Sequence, residues 1–226
     1  MFRDKKRFGQ DPSTVIRSSE RTFNTPRHWH GGGRCFVCSW SDFFIEEADK
    51  WRDEAWDVMA ENKDLTFMIL TKRPERINRD TLPKDWGNGY ENVWMGVTAE
   101  NQEMFDKRVP ILAEVPAICR FVSVEPMLGP IKMGKRNRHL LDWVICGCES
   151  GPEARVTDTV WVQDLLTQCR DANIPFFLKQ MRNIFQGRMG GPLIAGTELI
   201  KMPEFMGRVW DQVPTECQHH ESGCQI

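Results

Sequence analysis

Six short apolar runs in this chain of 226 residues each break off into polar side chains, and those polar side chains are where chemistry could reside. In chain order they are Ser39, Ser41 and Asp42; Thr71, Lys72 and Arg73; Thr98, Glu100 and Asn101; and Ser123, Glu125 and Pro126. The last two groups are Glu149, Ser150 and Gly151, then Lys179 and Gln180. Carboxylates set opposite lysines and an arginine around one cavity suit proton transfer or the gripping of a polar ligand, because close charges separate one another's proton affinities. The plainer alternative is that these segments reach water, which attracts charge. Gly147-Cys-Glu-Ser-Gly151 adds a glycine-flanked junction where backbone amides could approach an anion or an adenosyl group, with Glu149 placed for ribose hydroxyls. It fits neither the dinucleotide fingerprint nor the phosphate-loop pattern.

The runs preceding these residues are the elements that must position them. They are residues 34–39, 65–71, 92–98, 120–124, 142–147 and 175–179, rich in β-branched and aromatic residues. Their starts lie 22 to 33 residues apart, the spacing of successive strand–helix units, and their near-continuous apolar character suits parallel strands covered on both faces. Between them, Ala48, Trp51, Ala55, Val58 and Met59 recur at helical spacing, as do Phe105, Val109 and Leu112, and Val162, Leu165, Leu166 and Cys169. Pro74 opens a short helix, Pro110 is expected to kink or restart its own, and Thr157 or Asp158 to cap the last, which closes near Asn173. The expected fold is therefore α/β, a partial β/α barrel of about six parallel strands or an open doubly wound sheet, and both place ligands at the carboxyl ends of the strands. The chain divides into a basic N-terminal helix and loop (1–33), a barrel core (34–182) and an irregular C-terminal cover and tail (183–226), all within one domain.

Composition limits the remaining possibilities. With 40% hydrophobic and 27% charged residues the chain is an ordinary globular one, long enough to bury a core without disulfides. Its 30 basic and 32 acidic residues nearly balance, but residues 1–38 hold eight of the basic and only three of the acidic ones. No apolar run approaches the roughly 20 residues that span a bilayer, and no secretory leader is visible. The expected location is the cytoplasm, with reduced thiols.

The segments FVCSWSDFF, MILTKRPERI, VWMGVTAENQ, RFVSVEPMLGPI, LDWVICGCESGPEAR and PFFLKQ resemble, in order, the blocks of a bacteriophage-associated family of unknown function labelled gp thirty-seven/sixty-eight. That family is similar in plan to radical S-adenosylmethionine enzymes. The resemblance implies a barrel rim that holds an iron–sulfur cluster and S-adenosylmethionine. Carried onto this chain, it implies that Thr98, Gly147, Glu149 and Ser150 help bind S-adenosylmethionine. Glu125, Lys72 and Lys179 would then handle protons or substrate charge, and Asp42, Arg73, Glu100 and Gln180 would position a small-molecule or nucleic-acid substrate. Family members supply cluster thiolates from a Cys-x-x-Cys-Tyr-Ala loop after a first strand, whereas this chain opens at MFRDKKRFGQD, similar to the helix that follows that loop. The implied state is either a shortened chain, the favoured reading, or a member that has lost the chemistry; both lack the first strand and the cluster, and so are inactive in radical chemistry.

Other groupings leave alternatives open. Cys35 and Cys38 have Cys-x-x-Cys spacing but fall in an expected strand, where residues three apart face opposite sides; with His28 and His30 they form a zinc pattern only if that segment is a loop. Cys217, His219 and Cys224 offer a metal set in the tail. Lys132, Lys135, Arg136, Arg138 and His139, and separately Arg3, Lys5, Lys6 and Arg7, make basic clusters that could hold phosphates. The competing functions are a non-redox nucleotide or nucleic-acid binding module on the same barrel, and a metal-assisted hydrolase using Glu125 and Glu149.

Overall fold

Strands with apolar residues at every position have two faces to bury, and a computed structural model shows how both are covered. The structure describes residues 14–134, 137–150, 153–185, 194–201, 204–205, 208–209 and 211–214. Six parallel strands, β1 (Gly33–Val37), β2 (Leu65–Thr71), β3 (Val93–Thr98), β4 (Cys119–Val124), β5 (Trp143–Gly147) and β6 (Phe176–Phe185), pair in sequential order into a curled half-barrel. An antiparallel strand, β7 (Ile194–Lys201), extends the sheet beyond β6, and a small hairpin, β8 (Glu204–Phe205) with β9 (Arg208–Val209), follows it. Within 183–226, where an irregular cover is expected, the described residues 183–185, 194–201, 204–205 and 208–209 pair as strands. The strand pattern is hidden in the sequence because Gly187, Gly190, Gly191 and Pro192 interrupt the composition between the two strand runs.

A short turn of helix, α1 (Glu20–Phe23), precedes the sheet, and α2 (Asp49–Glu61), α3 (Gln102–Ala113) and α4 (Thr159–Asp171) cross between β1 and β2, β3 and β4, and β5 and β6. They share one core with one side of the sheet: Trp56 and Met59 of α2, Phe105 and Leu112 of α3, and Leu165 and Cys169 of α4 cluster with Phe67, Met95, Val122, Cys146 and Leu178. The β2–β3 connection holds only a 3₁₀ turn, over Pro74–Arg76. Pro110 sits inside α3 without dividing it. Both Pro110 and Asp106, whose carbonyl loses its N–H partner, are exposed. Asp158, not Thr157, caps α4: its carboxylate accepts from Val160 N at 2.8 Å, while Thr157 donates to the Met127 carbonyl at 2.9 Å. At the far end Asn173 takes φ +54°, and the Asn173 and Ile174 amides close on the carbonyls of Arg170 and Cys169.

The opposite, concave side of the sheet is divided along its length. Towards the amino ends, Trp94, Cys119, Phe121, Trp143 and Ile145 pack with Met68, Leu70, Phe177 and Val213. Trp143 donates its indole N–H to the Gln212 carbonyl at 2.8 Å, so residues 211–213 strap across this end. Gly96 marks the boundary, because a Cβ there would stand 2.4 Å from the Phe121 ring. Beyond it the same face carries Thr98, Ser123 and Gly147, the positions that lead to the strand ends.

Candidate functional site

Parallel strands all finish at the same edge, so the polar residues following β1 to β6 gather there. The first group is organised by Asp42. Its carboxylate accepts from Thr71 Oγ1 at 2.7 Å, Phe44 N at 3.0 Å, Lys72 N at 2.9 Å and Arg73 Nη1 at 3.0 Å, tying the β1 loop to the β2 loop. Glu100, after β3, pairs with Lys72 and with Arg108 Nη1 at 3.0 Å, and Arg108 also donates to the Thr98 carbonyl at 2.7 Å. Burial pushes the Glu100 carboxyl up, but Lys72 and Arg108 outweigh it and hold its pKa below the usual 4.5.

Glu125, after β4, accepts from Lys179 of β6 at 3.1 Å. Its carboxylate lies across Gly147, where a Cβ would meet Glu125 Oε1 at 3.2 Å and Gln180 Cγ at 3.4 Å. The glycine therefore admits a side chain of the protein itself. Glu149 accepts from Arg155 at three points, the backbone N at 3.0 Å, Nε at 2.8 Å and Nη2 at 3.0 Å. Gln180 is turned inward and donates to the Cys148 carbonyl at 2.8 Å. Thr98 is buried and Ser150 exposed.

The structure thus brings Asp42, Lys72, Arg73, Glu100, Glu125, Lys179, Glu149 and Gln180 to one rim, as the spacing predicts. What sequence reasoning missed are the partners Arg108 and Arg155, and the layering of each pair. In Asp42–Arg73, Glu100–Lys72, Glu125–Lys179 and Glu149–Arg155 the carboxylate side chain is 14–31% exposed and the cation 41–61%. Arg108 lies beneath them, 13% exposed. The acids form an inner layer that fixes the direction of an outer layer of cations. No periodicity encodes this order, since it depends on how far each loop folds back over the sheet.

The cysteines are placed differently from the expectation. β1 ends at Val37, and Cys38 begins a turn at φ +57°, its carbonyl accepting from Ser41 N at 3.0 Å. Cys38 is exposed as a residue, yet its thiol lies deep enough that burial, with Asp42 nearby, pushes it up to about 11. Cys119, Cys146, Cys148 and Cys169 are buried, and desolvation drives the Cys146 thiol far above its usual range. Among the described residues no three His, Cys, Asp or Glu side chains gather closely enough to hold a metal. Cys217, His219 and Cys224 lie outside the described residues, as do Gly151, Lys135, Arg136 and the basic cluster near the N-terminus. No described helix is long and apolar enough to cross a membrane.

Residues 2–214 match a family described only as protein of unknown function, DUF5131. The chain belongs to that family. No curated protein and no solved structure matches it. The layered rim is thus described for a DUF5131 member from its own geometry, and what this DUF5131 rim can do follows from its charges. Its cations are held at fixed positions with donors to spare, since each Arg carries five N–H groups and each Lys three.

Proposed function

We propose that this DUF5131 chain binds an anionic small molecule of the nucleotide class at the carboxyl ends of its strands. One observation carries the reading: in all four rim pairs the cation is the outer partner, so an approaching ligand meets Lys72, Arg73, Arg155 and Lys179 before any carboxylate. Charge-assisted contacts from oriented guanidinium and ammonium groups are the usual means of holding phosphate. The half-buried carboxylates offset the mutual repulsion of those cations and fix their directions before a ligand arrives.

S-adenosylmethionine, which the family resemblance nominates, carries a net positive charge from its sulfonium and ammonium groups, and an outer layer of cations works against it. Thr98 and Glu149 remain the residues that would meet its ribose, although Arg155 already occupies both Glu149 oxygens. The described thiols do not make a cluster-binding set, because a cluster needs three thiolates in reach of one another and among the described residues no three His, Cys, Asp or Glu side chains stand close enough to share a metal. We therefore expect no radical turnover from this chain, and its phage origin and radical-enzyme ancestry rest on the resemblance of blocks alone. In a reaction at this rim, Glu125, Lys72 and Lys179 would exchange protons with the ligand, while Asp42, Arg73, Glu100 and Gln180 fix its position. A chain this rich in thiols suits a reducing compartment such as the cytoplasm.

The test is calorimetric titration with inorganic pyrophosphate and, separately, with S-adenosylmethionine. Pyrophosphate should bind the wild-type protein, and K72Q and K179Q should each weaken it by about tenfold, with a strong dependence on salt. Tighter binding of S-adenosylmethionine than of pyrophosphate would overturn the reading. So would formation of 5′-deoxyadenosine after anaerobic iron–sulfur reconstitution of the 226-residue chain.

A further inference from the structure

A cavity of about 370 Å³ lies between the segment that leads into α1, strand β1 and helix α2, on the helix-covered side of the sheet. That volume is at the lower end of the range for small-molecule sites. Its walls are apolar, with Phe23, Val37, Trp51, Ala55 and Met59 among them. Arg17 closes it: the guanidinium sits 4.0 Å from the Phe23 ring and pairs with Glu20 at 2.7 Å and with Glu54 of α2 at 2.5 Å. The enclosed Nε–H of Arg17 has no hydrogen-bond partner among the described residues. At its other end the cavity is lined by Trp40, Ser41 and Asp42. Asp42 is also the residue that holds Arg73, at 3.0 Å, so one side chain belongs both to the cavity wall and to the cationic rim.

We propose that this cavity receives the uncharged ring portion of the ligand whose anionic portion meets the rim, which makes that ligand a nucleoside monophosphate or a molecule of that chemistry. The inference rests on the rim reading above and extends it. Three features select a planar ring over an aliphatic chain. The lining includes the aromatic rings of Phe23 and Trp51. Trp40 stands 66% exposed, the most exposed large apolar side chain among the described residues, in the loop between cavity and rim, where a ring could stack on it. The orphaned Arg17 Nε–H is a donor that a base carbonyl or ring nitrogen, reached by a small side-chain shift, would satisfy. Two carboxylates more than balance the Arg17 charge, so this end of the cavity has no net positive charge to draw a phosphate in, and the phosphate belongs outside with Arg73.

Titration of the full chain with adenosine monophosphate, adenosine and inorganic phosphate tests this. The monophosphate should bind at least about tenfold more tightly than either part, as expected when two contacts worth a little over 1 kcal/mol each act on one molecule. A55F, which fills the cavity, should lower monophosphate affinity to that of phosphate and leave phosphate binding unchanged. R73Q should do the reverse, weakening monophosphate binding about tenfold while adenosine binds as before. If A55F does not fold, A48L narrows the same cavity from the start of α2. The unmutated protein gives a further check, since adenosine should shift the Met59 methyl resonance and phosphate should not. Unchanged monophosphate affinity in a folded A55F or A48L protein, or a Met59 signal indifferent to adenosine, would overturn the cavity assignment. If pyrophosphate binding still falls in K72Q and K179Q, the rim reading survives that result. If the wild-type protein binds no pyrophosphate, both fall.

Discussion

The two ends of the concave face use the same strands for opposite purposes. At the amino ends, Trp94, Phe121 and Trp143 interlock, with Trp94 and Trp143 edge to face at 5.7 Å, and the strap at Gln212 seals them. At the carboxyl ends the same strands carry Thr98, Ser123 and Gly147 and then a ring of ion pairs. Aromatic burial stabilises in proportion to the area removed from water, whereas half-exposed ion pairs contribute little because solvent screens them. One end therefore holds the half-barrel together, and the other is released from that duty and can hold a ligand.

The sharpest way to break this division is at Trp143. W143A removes a buried ring and orphans the Gln212 carbonyl, and should cost about 3–5 kcal/mol in urea unfolding. The protein that remains folded should bind pyrophosphate as the wild type does. A loss below about 1 kcal/mol would show that the amino end is not where stability resides.

Asp42 tests whether the rim is uniform. It is a rim carboxylate, but it satisfies two backbone amides and a hydroxyl as well as Arg73, and it therefore behaves as a structural tie between the β1 and β2 loops. D42A should cost about 2–3 kcal/mol, because it removes several hydrogen bonds to a charged acceptor at once. It should also weaken pyrophosphate binding by freeing Arg73. An effect as small as that of the other rim pairs would restore a uniform rim.

For those other pairs, E125Q keeps the packing over Gly147 and removes only the charge that faces Lys179. With Lys179 half-exposed, the stability change should be about 1 kcal/mol or less. The change in ligand affinity should exceed the change in stability. The reverse order would mean that Glu125 is there to hold the fold.

How much of this was legible beforehand follows the same division. The strands β2 to β5 could be read to within a residue, because burial on both faces leaves a run such as Val93–Thr98 little but apolar and β-branched choices. The rim residues were legible through the rule that parallel sheets bind at their carboxyl ends. Cys38 was misread because strand composition continues through it, while its φ of +57° is set by the turn that Ser41 closes. Strand β7 was missed because its partner is antiparallel and its approach is rich in glycine. The layering of the ion pairs was illegible because Arg108 comes from the second turn of α3 and Arg155 from the loop before α4, and only the packed fold sets their depth.

Glu100 offers the finest test of the rim, since its effect should be visible only as a dependence on pH. It faces both Lys72 and Arg108, and its folded pKa lies below the ordinary 4.5. A carboxyl whose pKa is depressed by folding contributes stability that is fully present above its unfolded value and is lost as pH falls through its folded value. Wild-type stability should therefore decline on acidification below about pH 4.5, and E100Q should flatten part of that decline while changing stability near neutrality by no more than about 1 kcal/mol. Urea midpoints measured from neutral pH down through this range give the comparison. Asp49, paired with Arg52 and Arg76, is also held low and supplies a background slope that E100Q leaves in place. Identical slopes in wild type and E100Q would show that Lys72 and Arg108 do not hold Glu100 ionised, and that the inner layer of the rim is not a layer of fixed charge.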